Sequence, residues 1–361
     1  MELDPKSALA GPVPRLIDEW QEYPQIWNYI RREVDDRQKK GQFILTGSAN
    51  PEERVRLHSG AGRFSIIKMR PMSLFEKGWS TGEVSLSKLM KGAAPKSEQA
   101  AFDLESLAEK ITLGGWPSLI GSGGRKALRF MQDYIGLVAE TDISRVGGKK
   151  RDPQRVLRLL QSLARNISTE ASVTSLARDT GGSDVKITDE TITDYLEALE
   201  RLMIVEQLPP WSPHIRSADT LRKAPKRHFV DPSLAVGALG LSTGKLIGDL
   251  NYFGFLFESL VIRDLRIYAD LHDGKVFHYR DSRSLEVDAI VEYPDGAWAA
   301  FEVKMGFNAQ DQAAANLLTF AAKIDQEKMG KPAALTVISA NGFACRRKDG
   351  VNVTPLSALT A

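Results

Sequence analysis

The chain has 361 residues, with 48 Lys and Arg against 46 Asp and Glu, and a formal net charge of +2. That length predicts two or three domains, and so even a balance excludes a polycation that holds nucleic acid by bulk charge, leaving only local patches for DNA. The single Cys345 rules out an internal disulfide framework, no apolar run approaches the ~20 residues of a membrane span, and the start MELDPKSALAGPVP lacks a signal-peptide pattern, so a cytoplasmic protein with no membrane partner is expected.

Residues 14–21, PRLIDEWQ, read as a short strand ending in the acids Asp18 and Glu19. Residues 24–39 have helical spacing, and 42–48, QFILTGS, form a second strand ending at Thr46, Gly47 and Ser48. Strand–helix–strand implies a parallel pair. Acids at the carboxyl edge of such a pair sit where P-loop ATPases bind Mg-nucleotide. HSGAGRF at 58–64, an apolar strand and RPMSLFE at 70–76 follow.

Residues 83–103 are polar and rich in small residues, which predicts a linker. From 104 to 146 the pattern is mostly helical, broken at 114–117 and 121–124. The basic loop 147–153, GGKKRDP, reads as solvated, with phosphate contact the alternative. Residues 155–165 form an amphipathic helix. Residues 172–179 and 188–202 then form a helix–turn–helix pattern with a strand-like 203–208, the outline of a winged helix at about 153–210. The second of these helices carries Asp189, Glu190, Asp194, Glu197 and Glu200 against Arg201. A groove-reading helix needs basic or amide side chains, so the module reads as an intramolecular or partner-binding element. Residues 216–228 are locally basic. Lys223, Lys226 and Arg227 either guide a nucleic-acid backbone or form an exposed linker.

Residues 254–268, GFLFESLVIRDLRIY, have helical spacing and place Glu258 on a stripe with Phe255, Ile262 and Leu265. A carboxylate there needs a partner, either a metal or Lys304. Residues 285–305, LEVDAIVEYPDGAWAAFEVKM, are two strands about a Pro-Asp-Gly turn. Reflection about Asp295 sets Asp288 opposite Glu302 and Glu286 opposite Lys304. Alternation puts Val287, Ala289, Val291, Ala299, Phe301 and Val303 on one apolar face, and three carboxylates and a lysine on the other. Two carboxylates can hold a hard cation, and a lysine two residues on points the same way, toward water or phosphate. A surface cross-strand ion network is the plain alternative.

Asp288, then Glu302-Val303-Lys304, resembles the PD-(D/E)XK nuclease superfamily. That resemblance implies Mg or Mn held by Asp288 and Glu302, a shell completed by Glu258, and Lys304 orienting the attacking water. The order LIDEWQ, FILTGS, GAGR, RPMSLFE resembles the second half of an AAA-type ATPase domain, in the family where that domain precedes a C-terminal region with a nuclease-like core. The resemblance implies that ATP is the ligand, Asp18 binds Mg through water, Glu19 polarises water and Ser48 senses the γ-phosphate. Arg63 is then an arginine finger, which hints at a homo-oligomer.

The departure is as informative. No G-x-x-x-x-G-K-[ST] loop precedes the acids, and only 17 residues stand before Asp18. GLSTGKL at 240–246 and GSGGRK at 121–126 are both wrong in spacing. ATP hydrolysis is therefore not expected, and the chain reads as a truncated ATPase. The fold expected is α/β multidomain. It comprises a partial P-loop-type parallel unit at 1–82, a helical region with the winged helix at 83–245, and a restriction-endonuclease-like α/β domain at 246–361. Metal-dependent cleavage or binding of DNA is the first functional expectation. A catalytically inactive scaffold or partner-binding protein is the second.

Overall fold

A computed structural model describes residues 5–48, 62–98, 102–182, 187–213 and 224–361. Most of the HSGAGRF segment and Lys223 lie outside the described residues.

The first unit runs α1 (Pro5–Leu9), β1 (Arg15–Ile17), α2 (Ile26–Arg37), β2 (Phe43–Leu45). β1 and β2 pair in parallel, Arg15 opposite Phe43 and Ile17 opposite Leu45, as the helical crossover requires. Ile26, Trp27 and Ile30 bury the inner face of α2 against Leu9 and Trp20, and Trp27 stacks on both Trp20 and Phe64. The strand expected after Phe64 does not form: residues 64–70 join no sheet among the described residues, and Ile66, Ile67 and Met69 are 79%, 85% and 87% exposed. An apolar run becomes a strand only where a neighbour takes up its N–H and C=O groups.

The RPMSLFE segment is instead docked on the rest of the chain. Met72 N–H donates to the Gly115 carbonyl at 2.7 Å and Leu74 N–H to Asp264 Oδ2 at 3.0 Å. A side chain at Gly115 would put its Cβ 2.3 Å from Met72 O, so this close approach requires glycine. Residues 83–103 are not a free linker. There β3 (Val84–Ser85) is paired in parallel with the chain's last strand at Leu359–Thr360, and α3 (Leu86–Leu89) buries Leu86 and Leu89.

Next come α4 (Leu104–Leu113), α5 (Gly124–Leu137), the short α6 (Ile143–Arg145), α7 (Pro153–Arg165), α8 (Val173–Gly181) and α9 (Asp189–Arg201). Asp103, Asp152, Ser172 and Thr188 each accept a first-turn N–H from the helix they open, which is why those helices start there. α7 to α9 lead into an antiparallel hairpin, β4 (Val205–Leu208) with β5 (Lys226–Phe229), Leu208 facing Lys226. The basic loop before α7 is not solvated throughout. Arg151 is buried, donates to the carbonyls of Ile143 and Val146, and pairs with Asp194, as does Lys149. One of the acids of α9 therefore serves the fold. α10 (Pro232–Leu239) and α11 (Thr243–Gly248) follow, and the GLSTGKL run between them is capping chemistry: Gly240 closes α10 in the left-handed region and Ser242 caps α11.

The C-terminal part opens with α12 (Leu250–Asp270), whose N-terminus Asp249 caps. It continues β6 (Lys275–Arg280), β7 (Glu286–Glu292), β8 (Trp298–Lys304), α13 (Gln310–Lys323), α14 (Gln326–Met329), β9 (Ala334–Ser339), β10 (Cys345–Arg346), β11 (Asn352–Pro355) and β12 (Leu359–Thr360). The main sheet has the order β10-β11-β9-β8-β7-β6. β6, β7 and β8 are antiparallel neighbours, while β8, β9 and β11 run parallel, with α13 and α14 making the β8–β9 crossover.

Helices cover both faces of this sheet. Ala289, Val291, Ala299, Phe301 and Val303 share the core that α12 enters, whereas Val287, Ile290, Trp298 and Ala300 pack with Ala313, Ala314, Leu317 and Phe320 of α13. Two expectations change here. The face assigned to carboxylates and lysine is apolar over half its length, because α13 lies on it. Val287 joins that second core rather than Ala289's, because β7 holds an extra residue where the pairing slips from Phe277–Ile290 to Tyr279–Val287.

Candidate active site

The register of β7 with β8, Ala289 opposite Phe301 through Glu292 opposite Trp298, is the reflection about Asp295. It carries on to set Asp288 beside Glu302. Asp288 Oδ2 accepts the Val303 N–H at 2.8 Å and lies 3.3 Å from Lys304 Nζ, which also lies 2.8 Å from Glu302 Oε2. Asp288 and Glu302 are 7% and 3% exposed, while the Lys304 side chain keeps 34% of its surface in solvent. The cluster therefore opens outward at the lysine.

Glu258 of α12 reaches the same place, where Lys226 and not Lys304 pairs with it. Lys226 Nζ lies 3.0 Å from Glu258 Oε1, 2.8 Å from Glu286 Oε1 and 4.0 Å from Asp288 Oδ1. Lys226 is 3% exposed and Arg227 8%. The expectation that they guide a nucleic-acid backbone or form an exposed linker is overturned, because β5 runs into the interior and the carboxylates of α12 and β7 satisfy the lysine there. Asn316 of α13 completes the set, donating to Glu302 Oε1 at 2.6 Å and to the Glu286 carbonyl at 2.7 Å.

Lys226 and Asn316 did not stand out in the sequence. The first sits in a charge run that looks solvated. The second is a lone amide in a helix whose neighbours Ala313, Ala314 and Leu317 are plain core, and a polar residue beside an apolar stripe is the only signal it offers.

Four carboxylates, Glu258, Glu286, Asp288 and Glu302, face two lysines. Burial, and then the charge of Asp288, push Glu258 up to about 8 and Glu302 up to about 7. Burial opposes ionisation of Asp288 too, but Lys304, Lys226 and the Val303 N–H more than offset it and hold Asp288 below the usual carboxylate range. For Lys226 burial works against the ammonium, and Glu258, Asp288 and Glu286 together keep it well above its ordinary value. The cluster sets four carboxyls against two lysines, and Glu258 and Glu302 relieve the crowding by holding their protons more tightly. Among the described residues no group of three or more His, Cys, Asp or Glu side chains is disposed to hold a metal ion. Asp288 and Glu302, both ion-paired to Lys304, are hard oxygen donors of the kind that suit Mg or Mn. The third acid, Glu258, is taken by Lys226.

A second cluster lies at the carboxyl edge of β1 and β2. Thr46 Oγ1 donates to Asp18 Oδ1 at 2.5 Å, and Gln21 Nε2 bridges Glu19 and Ser48, reaching Ser48 Oγ at 3.2 Å. Glu19 itself sits in the left-handed region at φ 49°, an uncommon state for a non-glycine residue that recurs at functional turns. Asp18, Glu19 and Ser48 are thus brought together and are all exposed. Arg63 makes an ion pair with Asp35 of α2 at 2.6 Å.

Comparison with known proteins adds the following. Residues 6–77 match an AAA domain, residues 104–245 a domain of unknown function (DUF8612), and residues 253–359 another domain of unknown function (DUF4143). These matches are consistent with an AAA-type family. Uncharacterised proteins of Mycobacterium bovis and Mycobacterium tuberculosis are each 25% identical over 304 residues, which is 83% of this chain. The chain spans 61% of the length of those relatives. No solved structure matches. No helix of the described residues is long and apolar enough to cross a membrane.

Proposed function

We propose that the protein processes nucleic acid through a metal-dependent phosphodiesterase site on its C-terminal sheet, coupled to an AAA-type nucleotide-binding part. The observation that carries this reading is the placement of Asp288 and Glu302 side by side, with one lysine Nζ 3.3 and 2.8 Å from them at the open edge of the cluster. Asp288 and Glu302 would hold Mg or Mn, which when bound supplies a Lewis acid and lowers the pKa of a water. Lys304 keeps its proton, because Asp288 and Glu302 together outweigh the burial that works against it. From the open edge it donates to a phosphate oxygen or orients the attacking water. Asn316 fixes the rotamer of Glu302, and the Val303 N–H fixes Asp288, so neither carboxylate has to reorganise during the reaction.

The edge formed by Asp18, Glu19, Thr46 and Ser48 supports a role in contacting Mg-nucleotide, with Arg63 serving a neighbouring subunit. The sequence given holds no phosphate-cradling P-loop, whose backbone N–H groups would hold the β- and γ-phosphates.

The test is cleavage of supercoiled plasmid and single-stranded DNA at saturating Mn²⁺. Wild type is expected to cut, and Asp288→Asn and Glu302→Gln to lose cutting while keeping the wild-type circular dichroism. Failure of well-folded wild type to cut either DNA would refute the enzyme reading. A scaffold is the second reading, favoured by the two lysines that already engage all four carboxylates. Under it, Glu302→Gln changes stability and nothing else.

A further inference from the structure

We infer that a second cavity, beside β4 and apart from the carboxylate cluster, binds the phosphate group of a small molecule through Lys68, Arg70 and Arg266. It measures about 380 Å³, a size suited to a small ligand. Its walls are the extended segment before Met72, β4, the last turns of α12 and the start of β6. Along α12, Arg266 stands eight residues beyond Glu258, about 12 Å down the helix axis. The cavity therefore owes nothing to the phosphodiesterase reading.

At its floor three cations meet one carboxylate. Glu206 of β4 accepts from Arg266 Nη1 at 2.7 Å and pairs with Arg70 and Lys68 as well. One carboxylate neutralises only one of those charges. The rest of the lining does not make up the difference. Lys275 and Asp270 stand exposed at the rim and offset each other, and burial draws Glu200, which accepts from Gln207 Nε2, toward its protonated form. The crowding shows in the guanidinium groups. Burial, together with the nearby charge of Arg70, draws Arg266 down to about 10 despite the pull of Glu206, and Arg70 Nε is buried with no hydrogen-bond acceptor among the described residues.

Access is arranged for an anion. The side chains of Lys68 and Arg70 keep 38% and 19% of their surface in solvent, whereas that of Glu206 keeps 7%. A ligand entering from the open side meets the cations before the carboxylate beneath them. A phosphate carries several charged oxygens and can serve two guanidinium forks and an ammonium at once. Pro209 and Phe277 supply an apolar wall for the organic remainder of the ligand.

The experiment is calorimetric titration of the full chain with pyrophosphate, without metal and at fixed ionic strength. Wild type, Lys68→Gln and Glu206→Gln are compared, with folding checked by circular dichroism. Wild type should bind. Lys68→Gln alters a half-exposed side chain that the fold can spare, and it should weaken binding about fivefold or more. Glu206→Gln removes the carboxylate that competes for the three cations and should tighten binding by a similar factor. No binding by folded wild type, an undiminished affinity in Lys68→Gln, or no gain in folded Glu206→Gln would each overturn the site and leave Glu206 as a structural ion-pair centre. A single-stranded oligonucleotide that binds through Lys68 where pyrophosphate does not would overturn the small-molecule assignment in favour of a nucleic-acid backbone.

Discussion

Residues 5–48 and the body that begins near Leu74 are both α/β, yet they are held in different ways. The first rests on Leu9, Trp20, Ile26, Trp27 and Ile30 beneath two three-residue strands, and leaves Leu16 61% and Ile44 50% exposed. In the second, one continuous core runs from Leu74 to Leu359, through α4, α5, α7, α9, α10, α12 and the sheet. The segments that match two separate domains of unknown function share that core, and even 83–92 contributes to it. The candidate sites follow the same division. Asp18, Glu19 and Ser48 are exposed and joined by a few surface hydrogen bonds, so they can rearrange around a ligand at little cost. Asp288, Glu302, Glu258 and Lys226 are largely buried and cross-linked, so any ligand there must replace existing ion pairs.

The largest effect is expected at the centre of the larger body. Arg263 is buried between Asp231, 2.7 Å away, and Asp264, also 2.7 Å away, whose carboxylates in turn hold Gly115 N–H and Leu74 N–H. Arg263→Met strands two buried acids and should cost about 3–5 kcal/mol, measured as a fall in the urea midpoint of the main transition. Next is acid. Burial works against ionisation of Glu206, but Arg266, Arg70 and Lys68 draw its pKa from 4.5 down to about 2. A carboxyl depressed in the folded state contributes stability that is complete above its unfolded value, here 4.5, and is lost as pH falls from there toward 2. The loss should reach about 3 kcal/mol and be largely absent in Glu206→Gln, as urea unfolding at pH 6 and at about pH 2.5 would show. The smallest effect is expected in the N-terminal unit. Leu16→Ala, on the exposed side of β1, should shift stability by no more than about 0.5 kcal/mol, and a larger drop in its thermal midpoint would mean that this face is covered in solution.

The hairpin at 285–305 was legible because everything that sets it is local. A Pro-Asp-Gly turn fixes the loop, the loop fixes the register, and the register alone brings Asp288 to Glu302. The parallel pairing of β1 with β2 was legible for the same reason, since a helix of 12 residues between two short strands permits little else. The strand expected after Phe64 failed because it depended on a partner that the pattern cannot supply. Residues 83–103 looked like a linker because their partner, β12, lies more than 250 residues on. The acids of α9 stood out in the sequence as a run unsuited to a DNA groove. That Asp194 serves Arg151 and Lys149 could not be seen, because such pairs are made by folding and not by spacing.

The sequence alone set the starts of α4, α7, α8 and α9, through their Asp, Ser and Thr caps, the hairpin register, and the two sets of acids. Each follows from interactions within a few residues or across one turn. Only the tertiary structure decided that Glu258 pairs with Lys226, that Asn316 holds Glu302, and that α13 covers the second face of the sheet. The physical reason is burial. A charged residue inside a protein must be met by opposite charge or by hydrogen bonds, and whether Lys226 is a solvated linker or a buried counter-ion depends on which distant carboxylates the fold places against it.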